Sequence, residues 1–364
     1  MNSQTEISNS KFQIPNSKQK HLNRLKIIAI LFTLSGIGLF AYFVYSVGLQ
    51  EILAGIAKIG FGGFLIIQLI YLGRIISRAT AWRLSVYEPY KLDLRDTLPA
   101  VIIGEAMSSI IPLGILVSGT TKAVAVRKKV PLVVGLSSIA TENIFYSVIT
   151  GLFVCFGAFA FLQSFQLAEG WIWTIDIVIA AIFLLIIFAV FVIIRQWHFA
   201  SEFCEWLYEK GIGRRFLETG RLHVRLFENL IYGFYRQYPR RFLPIFLCQI
   251  AYHLLGILEA WFILNRLNNM IPSFYTAFLL ESISRMITIF FKFVPFLIGI
   301  DEAGAQFVTE TLAIGASIGV TLAIIRKGRI LFWTAIGLML IIKRGLSLKE
   351  ITEIRNSSDE KNTN

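Results

Sequence analysis

The sequence predicts an all-α, polytopic helical membrane protein with two inverted repeats, each carrying a re-entrant, broken-helix hairpin. Three observations carry that expectation. Of 364 residues, 55% are hydrophobic and only 16% are charged, well outside the composition of a soluble domain. The apolar residues fall in runs of about 20, long enough to cross a bilayer, and basic loops separate them. Two of those runs, 97–117 and the start of 281–340, carry a proline, glycines and charges in their interiors. Broken backbone at membrane depth is tolerated only where it is buried in protein or lines a cavity.

The net charge of +12 would suggest a nucleic-acid partner in a soluble protein. Here the bases sit in loops between apolar spans, and no nucleic-acid partner is expected. Cys155 and Cys248 lie in apolar runs and Cys204 in a charged loop, so all three read as small packing residues. Neither a disulfide framework, a metal site nor a cofactor is predicted.

Taken in order, residues 1–26 read as a disordered, basic cytoplasmic tail ending in Lys18, Lys20, Arg24 and Lys26. Residues 27–47 form a first span, kept in the chain because it lacks a small-residue cleavage site and ends near Tyr42 and Tyr45. The second span covers 59–82. Arg74 and Arg78, one turn apart near its end, read as side chains snorkelling to the interface. Residues 97–117 are interrupted by Glu105, Pro112 and Gly114. Arg83, Lys91 and Arg95 precede them and Lys122, Arg127, Lys128 and Lys129 follow, so the segment is expected to enter and leave by the cytoplasmic face.

A long apolar helix over 130–162 holds Glu142 and Asn143 near its centre, and the loop after it carries Glu169 and no base. That loop is expected outside, with Trp171 and Trp173 at the interface before a span reaching Ile194. Residues 195–241 form a cytoplasmic loop with nine Lys or Arg. Its stretch 214–237 reads either as a helix on the anionic inner leaflet or as an ordinary loop helix. The span over 242–264 contains Gln249, His253 and Glu259. His253 reads as a packing residue, because no second His stands at metal-ligand spacing. Residues 346–364 are a polar cytoplasmic tail. In this layout the inner segments hold 28 of the 35 Lys and Arg, the outer loops only Lys58 and Arg266, and 281–340 the other five. Both termini are then cytoplasmic, with about six full spans and two hairpins between them.

Registering Pro112 on Pro295 exposes the repeat. Glu142 lies 30 residues after the first proline and Arg326 lies 31 after the second, each part-way along a long helix. The first hairpin is expected to open to the cytoplasm and the second to the outside, the inverted arrangement of secondary transporters. The alternative, a cytoplasmic turn at Lys327–Arg329, would leave too short a helix behind it.

Charges within 281–340 are costly at membrane depth and so mark a pathway or a site. Glu281, Arg285 and Lys292 share a helical face, with Glu281 and Arg285 in the favoured ion-pair order. Glu302, Gln306 and Thr309 form a second polar stripe. Facing stripes plus Arg326 would make a groove suited to a phosphate-bearing headgroup, since Arg forks bind phosphate oxygens. The alternative is that these charges only satisfy one another.

These residues resemble a known family, the flippase-like membrane region found in lysylphosphatidylglycerol synthases and in stand-alone bacterial and archaeal proteins. The resemblance covers about residues 25–345. It rests on Ala81, Trp82, Arg83 and Leu84, on the hairpin at Pro112, and on Pro295, Gly299, Ile300, Asp301 and Glu302 followed by Arg326. Phe296 and Leu297 stand where small residues are usual, and in the first hairpin Gly119 is followed by Thr120, with Lys122 in place of the usual Arg. The resemblance extends to members encoded with hopanoid synthesis. It implies lipid handling without synthesis of lysyl-lipid, because only a short polar tail follows Ile342, and no nucleotide-binding glycine loop is present.

The expected function is translocation of a phospholipid or polyprenyl-linked lipid between the leaflets of a bacterial cytoplasmic membrane. Arg285, Arg326 and Lys292 would hold the phosphate, and Glu105, Glu142 and Glu302 would pair with them or relay protons. Membrane lipids are the expected partners, with lipid-biosynthesis enzymes and a second copy of the chain as further candidates. Two other readings remain open. One is a membrane-embedded enzyme of lipid or isoprenoid metabolism with Glu302 or Glu142 as general base, although no Asp-rich diphosphate motif or His-acid pair is present. The other is a scaffold that docks enzymes on 195–241.

Overall fold

The apolar runs fold as helices, and no strand occurs among the described residues. The computed structural model describes residues 38, 41–42, 44–110, 114–164, 169–211, 214–267, 273–291 and 297–343. Both tails, most of the expected first span, Pro112, Lys292 and Pro295 lie outside these residues. In chain order the helices are α1 Leu49–Leu84, α2 Leu94–Ile110, α3 Gly114–Ala125, α4 Leu132–Ser164 and α5 Glu169–Arg195. Then come α6 Phe199–Glu209, α7 Arg214–Gln237, a short 3₁₀ turn Pro239–Arg241, α8 Phe242–Leu267, α9 Phe274–Phe291, α10 Ile300–Thr311 and α11 Ala316–Lys343.

Four of these segments are long and apolar enough to cross a membrane: α1, α4, Pro239–Leu267 and α9. The chain is a multi-pass membrane protein. Two expectations change in detail. The second span begins ten residues earlier than 59, since α1 continues back to Leu49 through a kink at Gly60, whose φ of 61° a residue without Cβ adopts freely. α9, expected as one arm of a re-entrant hairpin, is itself long enough to cross. α11 runs unbroken through Arg326, Lys327 and Arg329, so no turn forms at those bases.

The order of elements repeats. α1–α4 run long, short, short, long, and so do α8–α11. With the two prolines in register, the last residue of α1, Leu84, stands opposite the last residue of α8, Leu267. Packing follows the same exchange: α1 lies on α8, the long α11 packs on the short α2, and the long α4 packs on the shorter α9. α1 and α8 are antiparallel, because Gly55, Gly63 and Gly73 approach Leu267, Phe262 and Leu255 in turn. Glycines at such a seam let two helices come close where no hydrophobic effect drives them together.

α5 packs on α4 and leaves Trp173, Phe183, Leu184, Leu185, Phe188 and Ile194 exposed, as expected for a face turned to lipid. The loop helices are anchored to the core. Glu228 of α7 accepts the Ala200 amide at 2.9 Å at the start of α6, and Tyr232 Oη donates to the Trp197 carbonyl at 2.6 Å. Phe234 is buried with Ala81, Phe145 and Ile245, and Arg241 donates to the Val86 carbonyl at 3.0 Å. Cys155 is buried, Cys204 and Cys248 are half-buried, and all three are free thiols.

Two close helix contacts give a direct test of this packing. A Cβ at Gly319 would stand 2.7 Å from the Ala305 carbonyl carbon, and one at Gly337 would collide with the Ala106 methyl. Gly319→Ala and Gly337→Ala are each expected to cost about 1–3 kcal/mol by overpacking. Gly62→Ala, in open space, should be neutral or slightly stabilising. Thermal denaturation of the purified proteins in detergent measures the difference.

Candidate functional site

Tyr71, Arg74 and Arg78 recur at helical spacing, so α1 presents them on one face. On α8, Tyr252, Gly256 and Glu259 do the same. The antiparallel α1–α8 seam brings the two faces together, and α9 adds Glu281 and Arg285 while α11 adds Arg326 and Arg329. Around them lies a cavity of about 290 Å³. It is walled by Ser108 and Ser109 of α2, Ser118 and Lys122 of α3, Thr288 of α9 and Asp301 of α10. The cavity therefore lies between the arms of the two hairpins, in the middle of the helix bundle.

Its walls are held by ion pairs, most of them between helices. Glu281 takes Arg285 Nη2 at 3.0 Å, Arg326 Nη2 at 2.6 Å and Arg74 Nη2 at 3.5 Å. Glu259 takes Arg74 Nη1 at 3.2 Å and pairs with Arg329. Glu142 receives Arg78 through both oxygens, at 3.1 and 2.9 Å, and Gln249 Nε2 at 2.9 Å. The guanidinium groups of Arg74, Arg78 and Arg329 also lie over the rings of Tyr252, Tyr146 and Tyr71, at 4.4, 4.2 and 4.1 Å. An unpaired ion here would cost several kcal/mol of lost hydration. Paired on one side and stacked on an aromatic face on the other, each guanidinium is tolerated.

Pairing does not exhaust the donors. The Nε–H groups of Arg74, Arg285, Arg326 and Arg329, the indole N–H of Trp333 and the Ser284 hydroxyl have no hydrogen-bond partner among the described residues. All belong to residues that line the cavity, and the atoms themselves are covered by neighbouring groups. Every one of them can donate, and five can only donate. A ligand rich in acceptor oxygens, with negative charge, is the chemical complement of such a wall.

Of the residues expected to form the site, Arg285, Arg326 and Glu105 line the cavity. Glu105 Oε2 accepts a hydrogen bond from Tyr71 Oη at 3.0 Å. Glu142 is buried just behind the wall, where it holds Arg78, and Lys292 lies outside the described residues. Glu302 stands apart. As the third residue of α10 its carboxylate turns back to accept the Gly299 amide at 2.8 Å and pairs with Lys327 Nζ at 2.8 Å. The stripe expected from Glu302, Gln306 and Thr309 therefore does not face the cavity. Thr309 donates to the Ala305 carbonyl at 2.9 Å, Gln306 bonds Glu310 at 2.9 Å, and Asp301 reaches the cavity in their place.

Arg74 and Arg78 do not snorkel. Arg74 is 2% exposed and points inward, because Glu259 and Glu281 compensate its charge better than a distant interface could. Their placement with Tyr71 on one face of an apolar helix was the available signal. His253 packs as expected, sharing a hydrogen bond with Thr150 Oγ1 at 3.0 Å and stacking on Phe153. No cluster suited to a metal ion occurs among the described residues.

Residues 26–337 match the family model described as the lysylphosphatidylglycerol synthase TM region. The chain belongs to that family. The match spans every helix placed above except the last residues of α11, so the lysylphosphatidylglycerol synthase TM region includes the whole cavity wall. No curated protein and no solved structure matches the chain.

Breaking the buried network should be far more damaging than breaking a surface pair. Glu259→Gln leaves Arg74 and Arg329 without their shared countercharge, and a loss of about 3–5 kcal/mol is expected. Lys129→Ala, which removes the exposed partner of Asp96, should stay within about 1 kcal/mol. Chemical denaturation of both variants in detergent checks the contrast.

Proposed function

We propose that the protein moves a phosphate-bearing lipid between the two leaflets, with the headgroup passing through the arginine-lined cavity. One observation carries the reading: a cavity between the arms of the two hairpins is lined by Arg74, Arg78, Arg285, Arg326 and Arg329, four of which keep a buried Nε–H with no hydrogen-bond partner among the described residues. A lipid phosphate supplies acceptor oxygens and the matching charge. Membership of the lysylphosphatidylglycerol synthase TM region family supports a lipid as the bearer of that phosphate.

The architecture supports movement as well as binding. Two groups of four helices in the same order, related through the antiparallel α1–α8 seam, fit repeats inserted in opposite senses. Rocking such repeats about a central site exposes it alternately to either side. The protein would act in a bacterial cytoplasmic membrane with both termini inside, on phospholipids or polyprenyl-linked lipids, and lipid-synthesis enzymes or a second copy would be its protein partners. A lipid-modifying enzyme is less well supported, because Glu142 and Glu302, the candidate general bases, are both held in ion pairs and neither lines the cavity.

The test is transport by the full chain reconstituted in phospholipid vesicles, read by the accessibility of a fluorescent phosphatidylglycerol to an external quencher. Arg326→Gln should slow equilibration by about 10- to 100-fold, the equivalent of one charge-assisted contact. Arg225→Gln, on the exposed surface of α7, should remain within about twofold of the native rate. An unchanged rate for Arg326→Gln would exclude the cavity as the path.

A further inference from the structure

The acids of the network divide by position. Glu259 and Glu142 are buried and stand behind the wall, whereas Glu281, equally buried by neighbouring side chains, forms part of the cavity lining. Glu281 is also where arginines from three helices converge. Arg74 of α1, Arg285 of α9 and Arg326 of α11 share its two oxygens. Gly256 of α8 makes room for that convergence, since a Cβ there would lie 2.7 Å from Glu281 Oε1.

Glu281 offers two oxygens to three guanidinium groups, and Glu259 behind the wall takes Arg74 Nη1 at 3.2 Å and lies 4.0 Å from Arg326 Nε. The Nε–H of Arg74, of Arg285 and of Arg326 each has no hydrogen-bond acceptor among the described residues. A phosphate group, with more oxygens in a tetrahedral array, satisfies forks arriving from three directions where a planar carboxylate cannot. The carboxylate therefore occupies a seat shaped for a larger anion.

We infer that Glu281 is an internal competitor for the headgroup: its carboxylate holds the phosphate seat in this structure, and the lipid phosphate displaces it on binding. The inference rests on the proposed lipid-phosphate reading of the cavity and assigns Glu281 a part in it. The displaced carboxylate stays tethered to α9 next to the seat, so it competes at high effective concentration. A carrier needs such a competitor, because a site that binds its cargo too tightly cannot release it. Glu259, with no face on the cavity, does not share this role and remains a fixed countercharge.

The experiment measures binding of dihexanoyl phosphatidylglycerol and, separately, inorganic phosphate to the full chain in detergent, by calorimetry. Glu281→Gln removes the competitor's charge. Glu281→Asp keeps the charge but draws the carboxylate back by one methylene, so the two variants separate displacement from a general change in the field. Both should bind the phospholipid more tightly, Glu281→Gln by about tenfold. Glu205→Gln removes a carboxylate paired with Arg221 and Arg225 on the loop helices, away from the cavity, and should change affinity by less than about threefold. Because Glu281→Gln removes the close countercharge of Arg285 and Arg326, added inorganic phosphate should raise its melting temperature more than that of the native protein.

Phospholipid affinity that is unchanged or weaker in both Glu281 variants overturns the inference, as does equal tightening by Glu205→Gln. Tightening confined to inorganic phosphate also overturns it, in favour of a soluble anion at the seat. Arg326→Gln separates this inference from the reading beneath it. If Arg326→Gln loses phospholipid binding while the Glu281 variants do not gain it, only the competitor role fails. If Arg326→Gln binds like the native protein, or the native protein does not bind phospholipid, the headgroup reading fails and the competitor role with it.

Discussion

The need to compensate every charge inside a low-dielectric helix bundle governs this structure. An isolated ion at that depth costs several kcal/mol, and breaking a buried pair costs about as much. Glu259 and Glu281 meet the requirement for Arg74, Arg285, Arg326 and Arg329 at once, and in doing so they link α1, α8, α9 and α11. The relative placement of these four helices is therefore an electrostatic matter as much as one of packing. Glycines at the seams allow it: Gly256 admits the Glu281 carboxylate, and Gly55, Gly63 and Gly73 let α1 lie against α8.

Compensation alone would give a sealed core. What distinguishes this one is that Arg74, Arg78, Arg285, Arg326 and Arg329 line a cavity while two of their carboxylate partners, Glu142 and Glu259, stand behind the wall. Glu302 and Lys327 show the contrasting case. They pair closely, fix the start of α10 beside Gly299 and stay off the cavity wall. The same residue types serve two ends, and position relative to the cavity decides which.

Much of the fold was legible in the sequence because bilayer thickness sets run length and because proline, glycine and charge mark where an apolar helix breaks. The paired helices α2–α3 and α9–α10, the unbroken α11 and the loop helix Arg214–Gln237 follow from those rules. The site was legible only in part. Arg285 and Arg326 stood out as charges in an apolar stretch, and Glu281 as the i,i+4 partner of Arg285. Arg74 and Arg78 were misassigned because their partners are remote, 185 residues away for Glu259 and 64 for Glu142. Local patterning cannot show such a partner, and without it snorkelling is the cheaper solution for an arginine near a helix end. Glu302 stays off the cavity wall for the opposite reason. Its local role, capping the first turn of its own helix, outweighed the long-range one.

An electron cryomicroscopy map of the full chain in lipid nanodiscs containing phosphatidylglycerol tests the central claim most directly. The account predicts phosphate density in the cavity within hydrogen-bond distance of Arg74, Arg285 and Arg326, with the Glu281 side chain moved off those arginines. A well-resolved map in which Glu281 keeps all three arginines, and lipid phosphates lie only around the outside of the bundle, would contradict it.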